Sequence, residues 1–205
     1  GGWINSKNDR VMYIDPFDGK FKDFPDGARA SVDHILPQSA FNKIDGFDKL
    51  PKHVQNELIN HPMNLQPLPK ELNSSKGAKI ETGTEGWQRY VKEDKDISPI
   101  YRAYLESTQR NMVALVEEQI KNERLQQLMR LQNMKAKEES QKYLGQTVKV
   151  LVEGPSRKNP EMLTGRSSTH KIILFKSDRK DLKGQFVNVK IYDAKTWTLY
   201  GEMVE

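Results

Sequence analysis

Asp33 and His34 stand side by side in Ser31-Val32-Asp33-His34-Ile35-Leu36, a short extended stretch that Pro37 stops. Asn64 follows His34 by 30 residues, Asn73 comes nine later, and Lys76 lies one helical turn beyond Asn73. These residue types suit phosphodiester hydrolysis. That reaction needs a base to deprotonate water and a cation to carry charge on the scissile phosphate and the leaving oxygen. A histidine serves as base near neutral pH, which makes His34 the candidate. Asp33 and Asn73 offer hard oxygen ligands of the kind Mg²⁺ accepts, and Lys76 is placed to face the same phosphate. Arg29, just upstream, is a candidate for bidentate phosphate contact, with a plain surface arginine as the alternative. His61, before Pro62, either touches phosphate or caps and packs. His53 reads as a surface helix residue, and Trp87 and Tyr90 as core anchors.

The elements that must position these residues are legible in outline. Residues 1–30 alternate short apolar pieces such as Val11-Met12-Tyr13-Ile14 with turn signals at Asp15-Pro16, Asp18-Gly19 and Pro25-Asp26-Gly27. That pattern predicts strands and hairpins. A short helix is expected over 51–60, a second extended piece over 64–68, and a polar helix or a loop leading into one over 70–76. The order is strand, long loop, strand, helix. Ser98-Pro99 then forms a good N-cap and first helical residue. Apolar residues recur at helical spacing from Ile100 through Leu131, with no Pro or Gly before Gly145. One long helix, or two broken near Lys121-Asn122, is expected to connect the halves. After Gly145 the period becomes two, in Val148-Val150-Val152 and Val187-Val189-Ile191, with glycines between the runs. That predicts a small antiparallel β-barrel. The expected fold class is α+β, with boundaries at 1–97, 98–144 and 145–205.

Composition excludes several function classes. There is no cysteine, so disulfides, zinc–cysteine sites and iron–sulfur clusters have no ligands here. No apolar run is long enough to span a membrane, and the start, Gly1-Gly2-Trp3-Ile4-Asn5, is unlike a signal peptide and reads as a linker remnant with residues missing upstream. The formal charge of +5 is uneven. Residues 1–121 hold 17 Lys/Arg against 18 Asp/Glu, and residues 122–205 hold 16 against 10. The basic surplus therefore lies in the C-terminal part, where a polyanion is the natural partner. Arg157, Lys158, Arg166, Lys171 and Lys195 are the candidate nucleic-acid contacts, with Trp197 either stacking on a base or buried.

Two resemblances extend this reading. Val32-Asp33-His34-Ile35-Leu36-Pro37-Gln38-Ser39, with Asn64, Asn73 and Lys76, resembles the HNH (ββα-metal) nuclease domain of RNA-guided CRISPR nucleases. Asn60-His61-Pro62-Met63-Asn64-Leu65, with Asn73-Ser74-Ser75-Lys76-Gly77, is similar to HNH domains of bacterial polymorphic toxins. The resemblance implies a ββα-metal nuclease domain and an endonuclease with DNA as the favoured substrate. In it His34 is the base, Asp33 and Asn73 are the metal ligands, and Asn64 braces the loop. Because the motif ends in Asn73 rather than histidine, it implies Mg²⁺ or Mn²⁺ more than zinc. The toxin likeness alone implies an immunity protein as partner, and secretion or delivery within a larger protein that acts in the cytoplasm.

Asn122-Glu123-Arg124-Leu125-Gln126-Gln127-Leu128, Val150-Leu151-Val152-Glu153-Gly154-Pro155-Ser156, Asn159-Pro160-Glu161-Met162-Leu163-Thr164-Gly165-Arg166 and Ala194-Lys195-Thr196-Trp197-Thr198-Leu199-Tyr200-Gly201-Glu202 resemble the C-terminal region of MiaB-type tRNA methylthiotransferases. In that family the region is a TRAM domain, a small OB-like barrel that holds tRNA. The family's radical chemistry needs a three-cysteine motif that these residues lack, so the resemblance implies the RNA-holding module alone. It makes tRNA or another structured RNA the alternative substrate, and a non-catalytic nucleic-acid-binding protein the alternative function.

Overall fold

The computed structural model describes residues 3–83, 85–179 and 181–205; the Gly1-Gly2 pair read as a linker remnant lies outside them. The chain divides into two compact units, Gly1–Arg124 and Leu125–Glu205.

In the first unit, β1 (Met12–Ile14) and β2 (Phe21–Asp23) form an antiparallel hairpin. Its turn is fixed by Asp15, whose carboxylate accepts from the Phe17 N–H at 2.7 Å and from Lys22 Nζ at 2.5 Å. β3 (Ala30–His34) pairs antiparallel with β4 (Leu65–Pro69), setting Asp33 opposite Gln66 and His34 opposite Leu65. The intervening loop holds the short helices α1 (Gln38–Phe41) and α2 (Lys52–Ile59). Each begins after a proline, Pro37 or Pro51, at its N-cap. Helix α3 (Lys70–Lys76) follows β4 directly. A small pair, β5 (Arg89–Tyr90) and β6 (Lys95–Asp96), completes the β content of this unit.

Helix α4 (Pro99–Gln141) is one continuous helix of 43 residues, without a break at Lys121-Asn122. Ser98 starts it, its Oγ accepting from the Tyr101 N–H at 3.1 Å. Tyr101, Leu105, Met112, Val116 and Ile120 are buried at helical spacing. Tyr101 and Leu105 join a cluster with Ile35, Leu68, Leu72, Trp87 and Tyr90. Met112, Val116 and Ile120 close a second one around Leu36, Phe41, Phe47, Leu50 and Leu58. The first half of α4 is therefore part of the N-terminal core. The compact units accordingly divide at 124, within α4.

The second unit is a closed five-stranded barrel of β7 (Thr147–Pro155), β8 (Met162–Ser167), β9 (Ile172–Lys176), β10 (Phe186–Ala194) and β11 (Thr198–Val204). The order around it is β10-β11-β9-β8-β7. Four pairings are antiparallel, while β9 and β11 run parallel. An all-antiparallel barrel was expected, but an odd number of strands cannot alternate direction all the way round a ring. Val150, Val152, Ile173, Phe175, Val189, Ile191 and Leu199 fill the interior. Gly165 and Gly201 permit its tight closure. A Cβ on Gly165 would meet Val150 Cγ1 at 2.4 Å and the Leu151 carbonyl at 2.5 Å, and one on Gly201 would meet the Lys190 carbonyl at 2.5 Å. Register shifts between Val152 and Gly154, and between Ile191 and Asp193, bend the two longest strands around the ring. No helix among the described residues is long and apolar enough to cross a membrane.

Candidate nucleic-acid interface

The residues singled out around Asp33 divide into three separate settings. Asp33 is buried, and both of its oxygens are already used. Oδ1 accepts from Lys76 Nζ at 3.0 Å, and Oδ2 from Gln66 Nε2 at 2.8 Å. Lys76 is fully buried and also donates to the His34 carbonyl at 3.1 Å. Burial pushes the Lys76 pKa down from the ordinary lysine value, and the Asp33 carboxylate opposes that shift. Gln66 Nε2 reaches the Tyr101 hydroxyl at 2.9 Å, leaving Gln66 Oε1 buried without a partner among the described residues. Burial, followed by the nearby Asp33 charge, also raises the Tyr101 phenol.

This geometry corrects the expected use of Lys76. A side chain with no exposed surface, pinned between a carboxylate and a carbonyl, does not reach a phosphate in solvent. It also bears on the expected Mg²⁺ or Mn²⁺. The one carboxylate of the set is neutralised by an ammonium, and Asn73 is held through Nδ2 to Ser31 Oγ at 3.0 Å and the Val32 carbonyl at 3.3 Å. Among the described residues no group of three or more His, Cys, Asp or Glu side chains could hold a metal. A divalent cation at Asp33 would have to compete with the Lys76 ammonium for that carboxylate.

His34 is half-buried, with Nε2 3.0 Å from Asn60 Oδ1. His61 points into its own turn, where Nδ1 accepts from the Met63 N–H at 3.2 Å and caps the 3₁₀ turn Pro62–Asn64. Asn64 is fully buried. It accepts from the Leu36 N–H at 2.7 Å and donates to the carbonyls of Leu36 and Ile59 at 3.1 and 3.0 Å. It thereby ties the two ends of the long loop together. Arg29 is exposed and lines a cleft of ≈ 950 Å³ with Lys70, Lys92, Glu71 and Glu93, a cleft that includes neither Asp33 nor His34.

In the barrel, strand alternation turns one set of side chains inward and the other out. The five cations named from sequence do not converge. Arg157 and Lys158 sit in the β7–β8 loop at one end of the barrel, and both are exposed. Lys171 and Lys195 lie in the β8–β9 and β10–β11 connections at the opposite end. There Lys171 Nζ contacts Ser140 Oγ at 3.3 Å, and Lys195 pairs with Asp193 at 3.3 Å. Arg166 lies on the outer wall, donating to Glu153 at 2.9 Å.

A further group on that wall was not named from sequence. Phe186 is 63% exposed on β10, directly opposite Leu151 of β7, which is 38% exposed. Lys149 Nζ lies 5.0 Å from the centre of the Phe186 ring. Outward positions Asn188, Lys190 and Tyr192 continue along β10. The signal was present: Phe186 and Tyr192 are out of phase with Val187, Val189 and Ile191, so inward valines imply outward aromatics. Trp197 is also outside, 61% exposed in the β10–β11 turn.

The family model that matches is the TRAM domain, over residues 141–204. A tRNA-2-methylthio-N(6)-dimethylallyladenosine synthase of Fusobacterium nucleatum is 62% identical over 89 residues, which cover 43% of this chain and 20% of that protein. Enzymes of the same name from Bacillus thuringiensis and Bacillus anthracis are 51% and 49% identical over 87 residues, covering 42% of this chain and 17% of each relative. The chain thus spans about a fifth of the length of the curated relatives it matches. These findings overturn the expected endonuclease, because the relatives are named as synthases and not as nucleases. They give no support to a ββα-metal domain, a toxin or an immunity protein partner. What they support is the barrel: residues 141–204 match the TRAM domain.

Proposed function

We propose that this chain binds RNA through its C-terminal barrel, with tRNA as the preferred class. The observation that carries this reading is the coincidence of the TRAM match with a closed barrel whose outer side chains are cationic and aromatic. The high identity to enzymes named for a tRNA modification supports tRNA over other polyanions. Charge supports it too. Residues 122–205 carry the whole basic surplus, and Lys149, Arg157, Lys158 and Lys190 form no ion pair among the described residues. Exposed cations of this kind bind phosphates by releasing counterions, which makes affinity salt-dependent. The 205 residues contain no cysteine to hold an iron–sulfur cluster, so the contribution proposed for them is to hold RNA.

Fluorescence anisotropy on the full chain tests this, with labelled tRNA and a DNA duplex of similar length at 50 and 200 mM salt. Tighter binding to tRNA that weakens steeply with salt is expected. Absence of tRNA binding at 50 mM salt, or equal affinity for the DNA duplex, overturns it.

A further inference from the structure

We propose that Phe186, Leu151 and Lys149 form a stacking site for one unpaired nucleobase on the outer wall of the barrel, with Lys149 and Lys190 meeting the adjoining phosphates. The inference rests on the RNA-binding reading above and assigns it a specific place and a specific RNA conformation.

Phe186 and Leu151 are Cα partners on neighbouring strands, and both project outward. They make an apolar floor on the outer wall. Exposing a phenyl ring and a leucine side by side forgoes the hydrophobic gain that burial would bring, so the patch calls for an occupant. The surrounding charge says which. Lys149 stands over the ring at 5.0 Å, and Asn188 is the Cα partner of Lys149. Lys190 follows two residues along the same outward face. Arg166, opposite Leu151 on the other side, is paired with Glu153 at 2.9 Å. Glu202 is the Cα partner of Lys190 and is the other acid on this wall. Cations therefore flank the apolar floor, and the nearest acid is already neutralised.

An aromatic face bordered by lysines is the arrangement that binds single-stranded nucleic acid. The ring stacks on any base, and the ammonium groups track the backbone. Stacking is stronger than the exposed cation–π contact it displaces, and the freed Lys149 remains within its own reach of a phosphate. A base inside an A-form duplex cannot offer its face to a flat wall, so the site selects a splayed or looped-out nucleotide. The two strands carrying Phe186 and Leu151 are hydrogen-bonded from Phe186↔Leu151 to Lys190↔Thr147, which holds the floor in place before RNA arrives. Trp197 lacks that preorganisation, because it sits in a turn.

The test uses the full chain as wild type, Phe186→Ala, Phe186→Tyr and Lys149→Ala. Anisotropy is read against an unstructured single-stranded RNA, a blunt RNA duplex of the same composition, and tRNA. Phe186→Ala is expected to weaken single-strand binding about tenfold, the loss of one stacked base, and to leave duplex affinity within about twofold. Its thermal unfolding should match wild type, since the side chain is exposed, and Phe186→Tyr should retain wild-type affinity. If wild type binds RNA and Phe186→Ala binds the single strand equally well, the stacking site is wrong while the RNA-binding reading stands. An equal loss on duplex and single strand also overturns it. So does a wild-type dimer that Phe186→Ala converts to monomer, since the patch would then be a protein contact. If wild type binds no RNA at all, the proposed function fails and the stacking site with it.

Discussion

Lys76 in the first unit and Lys149 in the barrel carry the same ammonium group into opposite surroundings. Lys76 is fully buried, with Asp33 Oδ1 at 3.0 Å and the His34 carbonyl at 3.1 Å. Its charge is consumed within the fold, holding α3 against β3. Lys149 lies on the outside of a strand, its Nζ 5.0 Å from the centre of the exposed Phe186 ring, and forms no ion pair among the described residues. Its charge remains available to something outside the molecule. The difference shows why a residue type in a suggestive motif is not yet a functional group. A buried ion pair stabilises only because each partner satisfies the other, and the satisfied pair has little left with which to bind a ligand. An exposed lysine adds little to stability and keeps its capacity to bind.

The sharpest way to break this comparison is to remove one partner of the buried pair. Asp33→Asn leaves the Lys76 ammonium buried without a counter-charge and is expected to destabilise the first unit by about 3–5 kcal/mol. Urea unfolding followed by the emission of the buried Trp87 measures it. Because burial already lowers the Lys76 pKa, the unfolded state binds more protons between the folded value and the ordinary lysine value. Stability should therefore rise with pH across that window, more steeply in Asp33→Asn than in wild type. Adding Lys76→Met should recover most of the loss. A loss below about 1 kcal/mol would mean that the pair is not the structural element described here.

Next in size is the barrel interior. Leu199→Ala opens a cavity in a core of nine buried residues and should cost the second unit about 2–5 kcal/mol. RNA binding should be lost over the same urea range, while the Trp87 transition stays in place. A smaller effect, about 1 kcal/mol, is expected for Ser98→Ala, which removes the cap at the start of α4. It should appear in the Trp87 transition, because the buried stripe of α4 belongs to the N-terminal core. The smallest stability change, within about 0.5 kcal/mol, is expected for Lys149→Ala. That variant should nonetheless bind RNA more weakly and lower the slope of log affinity against log salt by about 0.7. A destabilisation comparable to Asp33→Asn, or an unchanged salt slope, would remove the contrast between the two lysines.

Local patterns were legible wherever one residue type and one period decide the outcome. Ser98-Pro99 starts α4, and the helical spacing of Leu105, Met112, Val116 and Ile120 makes its buried face, although Ile100, which opens the apolar pattern, is exposed and Tyr101 takes the buried place. The alternation of Val148, Val150 and Val152 makes a barrel strand. Residues 122–205 were legible as TRAM-like because long stretches of specific sequence lie there, and the family match falls on residues 141–204. The candidate site near Asp33 was less so. Asp33 and Lys76 pair in the fold, but Gln66 and Tyr101 complete their network, and neither belongs to the motif. Their partnership follows from the pairing of Asp33 with Gln66 across β3 and β4, and from α4 bringing Tyr101 beneath them.

The sequence by itself determined the main strands and helices, their order and the C-terminal basic surplus, and it carries the phase that turns Phe186 outward. Each depends on the periodicity or chemistry of neighbouring residues, which the chain carries locally. Tertiary structure alone decided that β9 and β11 pair in parallel to close the ring, that α4 divides between two units, and which charges are spent and which are free. Lys76 and Lys149 are indistinguishable as letters in a chain. What separates them is the set of groups that folding brings around each ammonium, and those groups come from positions tens of residues away.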